Sequence, residues 1–254
     1  MFKQNMIYFL IGHIIGDFYA QTNAVSERKR SRFRWVLIHS LIYLAVFMII
    51  AIPFATYEIF WLNILTSIFH AIIDICKFIY VKKMEKIHRY NQSIERNVFL
   101  VDQFLHLLCL FGISYHMEIA NIRLQELSVV SEFFDIIGIA EIAVGNWMLT
   151  ILMIHKPANI LIQKVIGTYK PAIQQNDFKK DHNAGRLIGT IERIIMVILI
   201  FINQFSAIGL VLTAKSIVRY DRISKDEAFA EYYLLGTLIS AAIVIGVATI
   251  LLQV

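Results

Sequence analysis

The sequence predicts an all-α, polytopic transmembrane helical bundle of about seven spans (range six to eight), with its N-terminus outside. Three observations carry that expectation. The 254 residues are 58% hydrophobic with a mean hydropathy of +0.64, well above a soluble globular domain. Apolar runs of about 20 residues, the length that crosses a bilayer as a helix, recur along the whole chain. The basic residues behind the net charge of +5 gather in the short loops between those runs, the pattern of a membrane topology signal. Nucleic acid is therefore not an expected partner; the lipid bilayer is.

Seven segments fit a span: 6–21, 36–55, 59–81, 98–115, 133–154, 187–214 and 233–252. Lys3 before the first apolar run resembles the start of a signal peptide. His13 and Asp17 interrupt that run and no small-x-small cleavage site follows, so a retained helix is expected. Loop one holds Arg28, Lys29, Arg30, Arg32 and Arg34; loop three holds Lys82, Lys83, Lys86, Arg89 and Arg96. Loop five holds Lys156, Lys164, Lys170, Lys179, Lys180 and Arg186, so the odd loops are expected in the cytoplasm. Loop six disagrees: Lys215, Arg219, Arg222 and Lys225 would lie outside. Either that loop folds back or the helix count after residue 130 is off by one. The pattern divides the chain into a four-helix unit, 1–117, and a C-terminal unit, 118–254. The second has about three helices and an amphipathic cytoplasmic stretch at 158–169. Cys76 and Cys109 sit in apolar runs and suggest neither a disulfide framework nor a CxxC site.

Charged and imidazole groups inside spans are costly and call for a reason. The first helix carries His13-x3-Asp17-x3-Gln21, the second His39, the third His70-x3-Asp74-x2-Lys77, and the fourth Asp102-Gln103-x2-His106. Four-residue spacing puts each His and Asp on one helix face. Helices one and three run the same way and have His before Asp. Helix four runs the opposite way, with Asp before His. That reversal places His13, His70 and His106 in one layer. Asp17, Asp74 and Asp102 form a second layer about 6 Å nearer the cytoplasm, at ~1.5 Å per residue, with His39 near it.

Four imidazoles and three carboxylates at one depth form a donor set for a divalent metal: zinc first, with iron or manganese as alternatives, and one or two ions. The candidate ligands are His13, Asp17, His39, His70, Asp74, Asp102 and His106, with Asp17 or Asp102 as general base. Lys77, Gln103, Gln21 and Arg193 are candidates to orient a lipid-linked or small anionic substrate. The expected function is a metal-dependent hydrolase at the cytoplasmic leaflet, acting on a lipid, a lipid-linked phosphate or a small phosphorylated or acylated molecule. The alternatives are a small ion- or metal-coupled transporter and a structural subunit whose polar groups only fasten helices. In the C-terminal half, Arg193, Lys215 and Arg219 suit either an anionic head group or interface anchoring.

Together these motifs and Gly185-Arg186-x2-Gly189-x2-Glu192-Arg193 resemble an uncharacterised family of bacterial membrane proteins, described only as a domain of unknown function. The resemblance spans most of the chain and implies a multi-pass protein of the bacterial inner membrane; it supplies no activity. The intramembrane His and Asp are also loosely similar to those of bacterial membrane-bound metal-dependent hydrolases. The order His39, His70, Asp74, Asp102 is faintly like that of soluble HD-type phosphohydrolases, but the adjacent His-Asp pair is missing.

Overall fold

A computed structural model describes residues 1–54, 56–170 and 178–252, with the backbone alone for residue 23 and for 178–184. Among the described residues every regular element is helical. Four helices are long and apolar enough to cross a membrane: Phe33–Phe54, Tyr57–Lys86, Gln92–Ile119 and Glu227–Leu252. Leu41, Ile72, Val101, Phe104 and Leu108 project outward from such helices. An apolar surface of that extent marks a chain that lives in lipid. The chain folds as two compact units, Met1–Leu149 and Thr150–Val254, with the division inside one helix.

The first unit is built on α1 (Phe2–Ile14), α3 (Phe33–Ala51), α4 (Tyr57–Lys86) and α5 (Gln92–Ile119), with the short α2 (Asn23–Ser31) before α3. Contacts fix their directions. As α1 advances from Tyr8 to His13, its partners on α4 advance from Asn63 to His70. Its partners on α5 retreat from Ser114 through His106 to Gln103, opposite Met6, His13 and Asp17. Thus α1 and α4 are parallel and α5 runs against both. An apolar core of Tyr8, Phe9, Phe47, Ile59, Leu62, Leu110, Ile113 and Met117 fills the end away from the basic loops.

Two glycines let α1 sit close to α3. A Cβ on Gly12 would lie 2.5 Å from the Phe47 ring, and one on Gly16 would lie 2.7 Å from Tyr43. Small residues four apart permit this close approach. Directly after α1, residues Ile15–Tyr19 form one π-helical turn carrying Asp17. A π turn rotates the side chains that follow it, and such turns are frequent at functional sites. The ends of α4 and α5 are sharp for a local reason. His88 and Asn121 take φ of 53° and 54°, and Arg89 and Ile122 donate back to the carbonyls of Met84 and Met117. That is the left-handed cap that closes a helix.

Two of the expected spans are corrected. Segment 133–154 is not one helix: α6 (Ser128–Ile137) stops at Gly138, with φ 66°, and α7 (Glu141–Ile154) follows after a bend of 88°. Only glycine takes that backbone without strain. Segment 187–214 is also two helices, α9 (Phe178–Phe201) and α10 (Phe205–Val218). They part at Asn203, φ 59°, where the Gln204 amide donates to the Leu199 carbonyl. The pair is an antiparallel hairpin, with Lys215 near the end of α10 only 2.7 Å from Glu192 on α9. The hairpin brings Lys215 and the basic residues after it back to the end where Arg186 lies. The expected amphipathic stretch is α8 (Lys156–Ile166); α8 and α9 pack on α12 (Glu227–Leu252), after the single turn α11 (Tyr220–Ile223). The loop-five residues Lys179, Lys180 and His182 have side chains outside the described residues.

Between α5 and α6 the Leu127 amide donates to the Pro53 carbonyl and holds the loop down. In that loop, burial first and then the neighbouring Glu141 carboxyl push Glu126 up to about 7 from an ordinary 4.5. A raised folded-state value means the stabilising, protonated form is fully present below pH 4.5 and lost as pH rises toward about 7. Thermal unfolding in detergent should therefore show Glu126→Gln gaining on the wild type as pH is raised across that window. Parallel curves for the two proteins would show that the Glu126–Glu141 pair is not close in solution.

Candidate metal centre

Seven predicted groups meet inside the first unit, and all but Asp17 are from 0 to 3% exposed. The three layer-one rings gather: His13 stacks on His106 with centroids 5.1 Å apart, and His70 lies tilted against His106 at 4.5 Å. His39 reaches across to the next layer. Its Nε2 lies 3.1 Å from His70 Nε2, 3.1 Å from Asp17 Oδ1 and 3.6 Å from Asp74 Oδ2. His70 Nε2 in turn lies 3.4 Å from the same Asp74 oxygen. Two Nε2 atoms so close share at most one proton, and both can point lone pairs at one cation. Asp17, His39 and His70 each offer a donor atom, all within 4.8 Å of one another. A tetrahedral ion with bonds near 2.0–2.1 Å needs donors roughly 3.3 Å apart. The three residues fit.

The remaining groups hold this trio in place. His13 has both nitrogens engaged. Nδ1 lies 3.2 Å from Tyr43 Oη, and Nε2 lies 3.5 Å from Gln103 Oε1. Gln103 donates through Nε2 to Asp17 Oδ2 at 3.0 Å. One assignment satisfies the chain: Tyr43 donates to His13, His13 donates to Gln103, and Gln103 donates to Asp17. His13 is thereby a support for Asp17. Tyr43 also lies flat on His70, with ring centroids 3.6 Å apart and planes within 5°. His106 donates through Nδ1 to the Asp102 carbonyl one turn back, at 2.8 Å. Its buried Nε2 then keeps a lone pair with no hydrogen-bond partner among the described residues, and Asp74 Oδ1 and Asp102 Oδ1 likewise have none there.

Two of the three carboxylates are already paired. Lys77 Nζ is 2.6 Å from Asp102 Oδ2, and Lys29 Nζ is 2.6 Å from Asp74 Oδ2. Lys29 comes from α2, whose first turn is capped by the Thr22 hydroxyl accepting from the Val25 amide. Sequence reasoning counted Lys29 only as a loop charge and passed over Tyr43. The glycines at 12 and 16, interleaved with His13 and Asp17, were the signal that an aromatic face packs there. With neutral imidazoles, three carboxylates against two ammonium groups leave one negative charge, and it sits on Asp17.

Two candidate substrate residues stand apart. No side-chain contact among the described residues joins Gln21 to the cluster. Arg193 belongs to the second unit, where it is 1% exposed and donates to the Ile154 carbonyl, Ser240, Asn159 and Thr190.

Residues 6–134, half of the chain, match the model of the family described as Protein of unknown function (DUF3307). The chain belongs to this family. Searches of the curated proteins and of the solved structures find no match. The DUF3307 stretch contains the metal trio, its Tyr43–His13–Gln103 support and both lysine–carboxylate pairs, so the whole constellation lies inside it. Arg193 lies outside it.

Breaking a buried ion pair leaves an uncompensated charge and costs about 3–5 kcal/mol, whereas removing both charges is nearly neutral. Lys29→Met should therefore lower thermal stability strongly, and Asp74→Asn added to it should recover most of the loss. A single variant as stable as the wild type would show that Lys29 stays in water.

Proposed function

We propose that the first unit is a membrane-embedded, metal-dependent hydrolase with one divalent ion, zinc by its mixed nitrogen and oxygen donors, held by Asp17, His39 and His70. One observation carries this reading: His39 Nε2 lies 3.1 Å from both His70 Nε2 and Asp17 Oδ1, the three donors fall within 4.8 Å of one another, and Asp17 is the one carboxylate of the three with no lysine ion pair among the described residues. Three protein ligands are the number a catalytic zinc site uses, because the fourth position is kept for an exchangeable water. Such an ion lowers the pKa of its water and polarises a phosphoryl or carbonyl oxygen.

The chain's own residues then have separate tasks. His106, with its Nε2 lone pair uncommitted, is placed to accept a proton. Asp102 is occupied by Lys77 and by Gln103 at 3.3 Å, so it orients these groups and is replaced by His106 as the base. Lys77 retains 31% side-chain exposure, which suits an anion arriving from the loop side. Loops one and three carry the basic residues, so that side of the unit is the cytoplasmic leaflet and the N-terminus is outside. In this reading the membrane is the bacterial inner membrane. The substrate is a lipid-linked or small phosphorylated or acylated molecule.

A carrier is the second reading, and one feature favours it. Lys29, Asp74, His70, His39, Asp17, Gln103 and His13 form a continuous buried chain of polar contacts, which is what a proton relay needs.

Elemental analysis of the purified protein should find one ion per chain. Asp17→Asn, His39→Gln and His70→Gln should empty it, while His106→Gln should keep the ion yet lose hydrolysis of p-nitrophenyl phosphate or acetate. Folded wild-type protein without stoichiometric metal would end the proposal. Metal that exchanges freely and crosses proteoliposomes would turn the assignment to transport.

A further inference from the structure

The second unit holds a half-open cavity of about 480 Å³ lined from α8 to α12. Its lining includes five cationic side chains: Arg186, Arg193, Lys215, Arg219 and Arg222. Against them stands one carboxylate, Glu192, which is consumed by Lys215 at 2.7 Å. Arg193 is the deepest of the five, and its hydrogen bonds run only to neutral acceptors: Ile154, Ser240, Asn159 and Thr190. A buried guanidinium so placed is oriented by neutral groups and shares its nearby carboxylate, Glu192, with Lys215, and low dielectric makes excess charge costly until a further counter-ion arrives. The Thr237 hydroxyl, 8% exposed, and the Tyr233 hydroxyl beside it also line the cavity. The remaining wall is apolar, with Ile162, Ile166, Ile188 and Val218.

From this placement we propose that the cavity binds a phosphate-bearing anion, its charge met by the Arg193, Arg219 and Lys215 end and its apolar part lying along the isoleucine wall. Phosphate suits the donor set because guanidinium forks and a hydroxyl match its several oxygens. Basic pockets between membrane helices on the cytoplasmic side take lipid head groups for this reason. The α9–α10 hairpin builds the pocket by folding Lys215 and Arg219 back beside Arg186 and Glu192. This site is independent of the metal centre and stands whether or not that centre is catalytic.

The test uses full-length protein in detergent, with three probes: phosphatidylglycerol, phosphatidylcholine and inorganic phosphate. Native mass spectrometry and thermal unfolding report binding. The wild type should retain one phosphatidylglycerol and unfold at higher temperature with it, while zwitterionic phosphatidylcholine does neither. Arg219→Gln should weaken retention about fivefold, the loss of one basic group near an anionic head. Thr237→Val should weaken it while leaving the unfolding temperature of the lipid-free protein unchanged, which separates binding from folding. If inorganic phosphate raises stability as much as the lipid does, the phosphate site stands and its source is a soluble anion. Equal retention of both lipids, or retention that neither variant alters, overturns the proposal.

Discussion

Charge balance in a medium that does not solvate charge governs the first unit. A carboxylate taken out of water costs several kcal/mol unless a cation or donors replace its hydration. Three carboxylates stand at one depth between α1, α4 and α5. Lys77 answers one within a helix pair. Lys29 answers another from outside the bundle, which explains why α2 folds down onto α3 and α4 rather than trailing into solvent. Asp17 is met by His39 and by the Gln103 amide and has no lysine ion pair among the described residues, so it is the carboxylate left to share its charge with the proposed ion.

Packing sets the geometry that makes this balance useful. Gly12 and Gly16 bring α3 close enough for Tyr43 to lie on His70 and bond His13 at once. The π turn at Ile15–Tyr19 then aims Asp17 at His39. With both ring nitrogens tied, one to Tyr43 and one to Gln103, His13 is taken out of the candidate ligand set. Under the proposed function the seven candidates divide into three ligands, one free base and their supports.

Much of this was readable in the sequence because direction and spacing are encoded together. His-x3-Asp on α1 and α4 against Asp-x3-His on α5 predicts two matched layers, and the rings of His13, His70 and His106 do gather, with centroids 4.5 to 6.2 Å apart. What was not readable depends on long-range geometry. Lys29 looks like any loop cation, and nothing local says that α2 turns back toward Asp74. Tyr43 is one aromatic among 11 tyrosines until the α1–α3 contact singles it out. The break at Asn203 was masked by the unbroken hydropathy of 187–214, although an asparagine before a polar Gln204 is a common helix stop. Hydropathy measures preference for lipid, not helix continuity.

X-ray absorption spectroscopy of the zinc-loaded protein tests the metal assignment most directly. The proposed site predicts a shell of nitrogen and oxygen donors near ~2.0 Å with outer scattering from two imidazoles, and no bound zinc in His39→Gln. A shell of water oxygens with no imidazole scattering would contradict it.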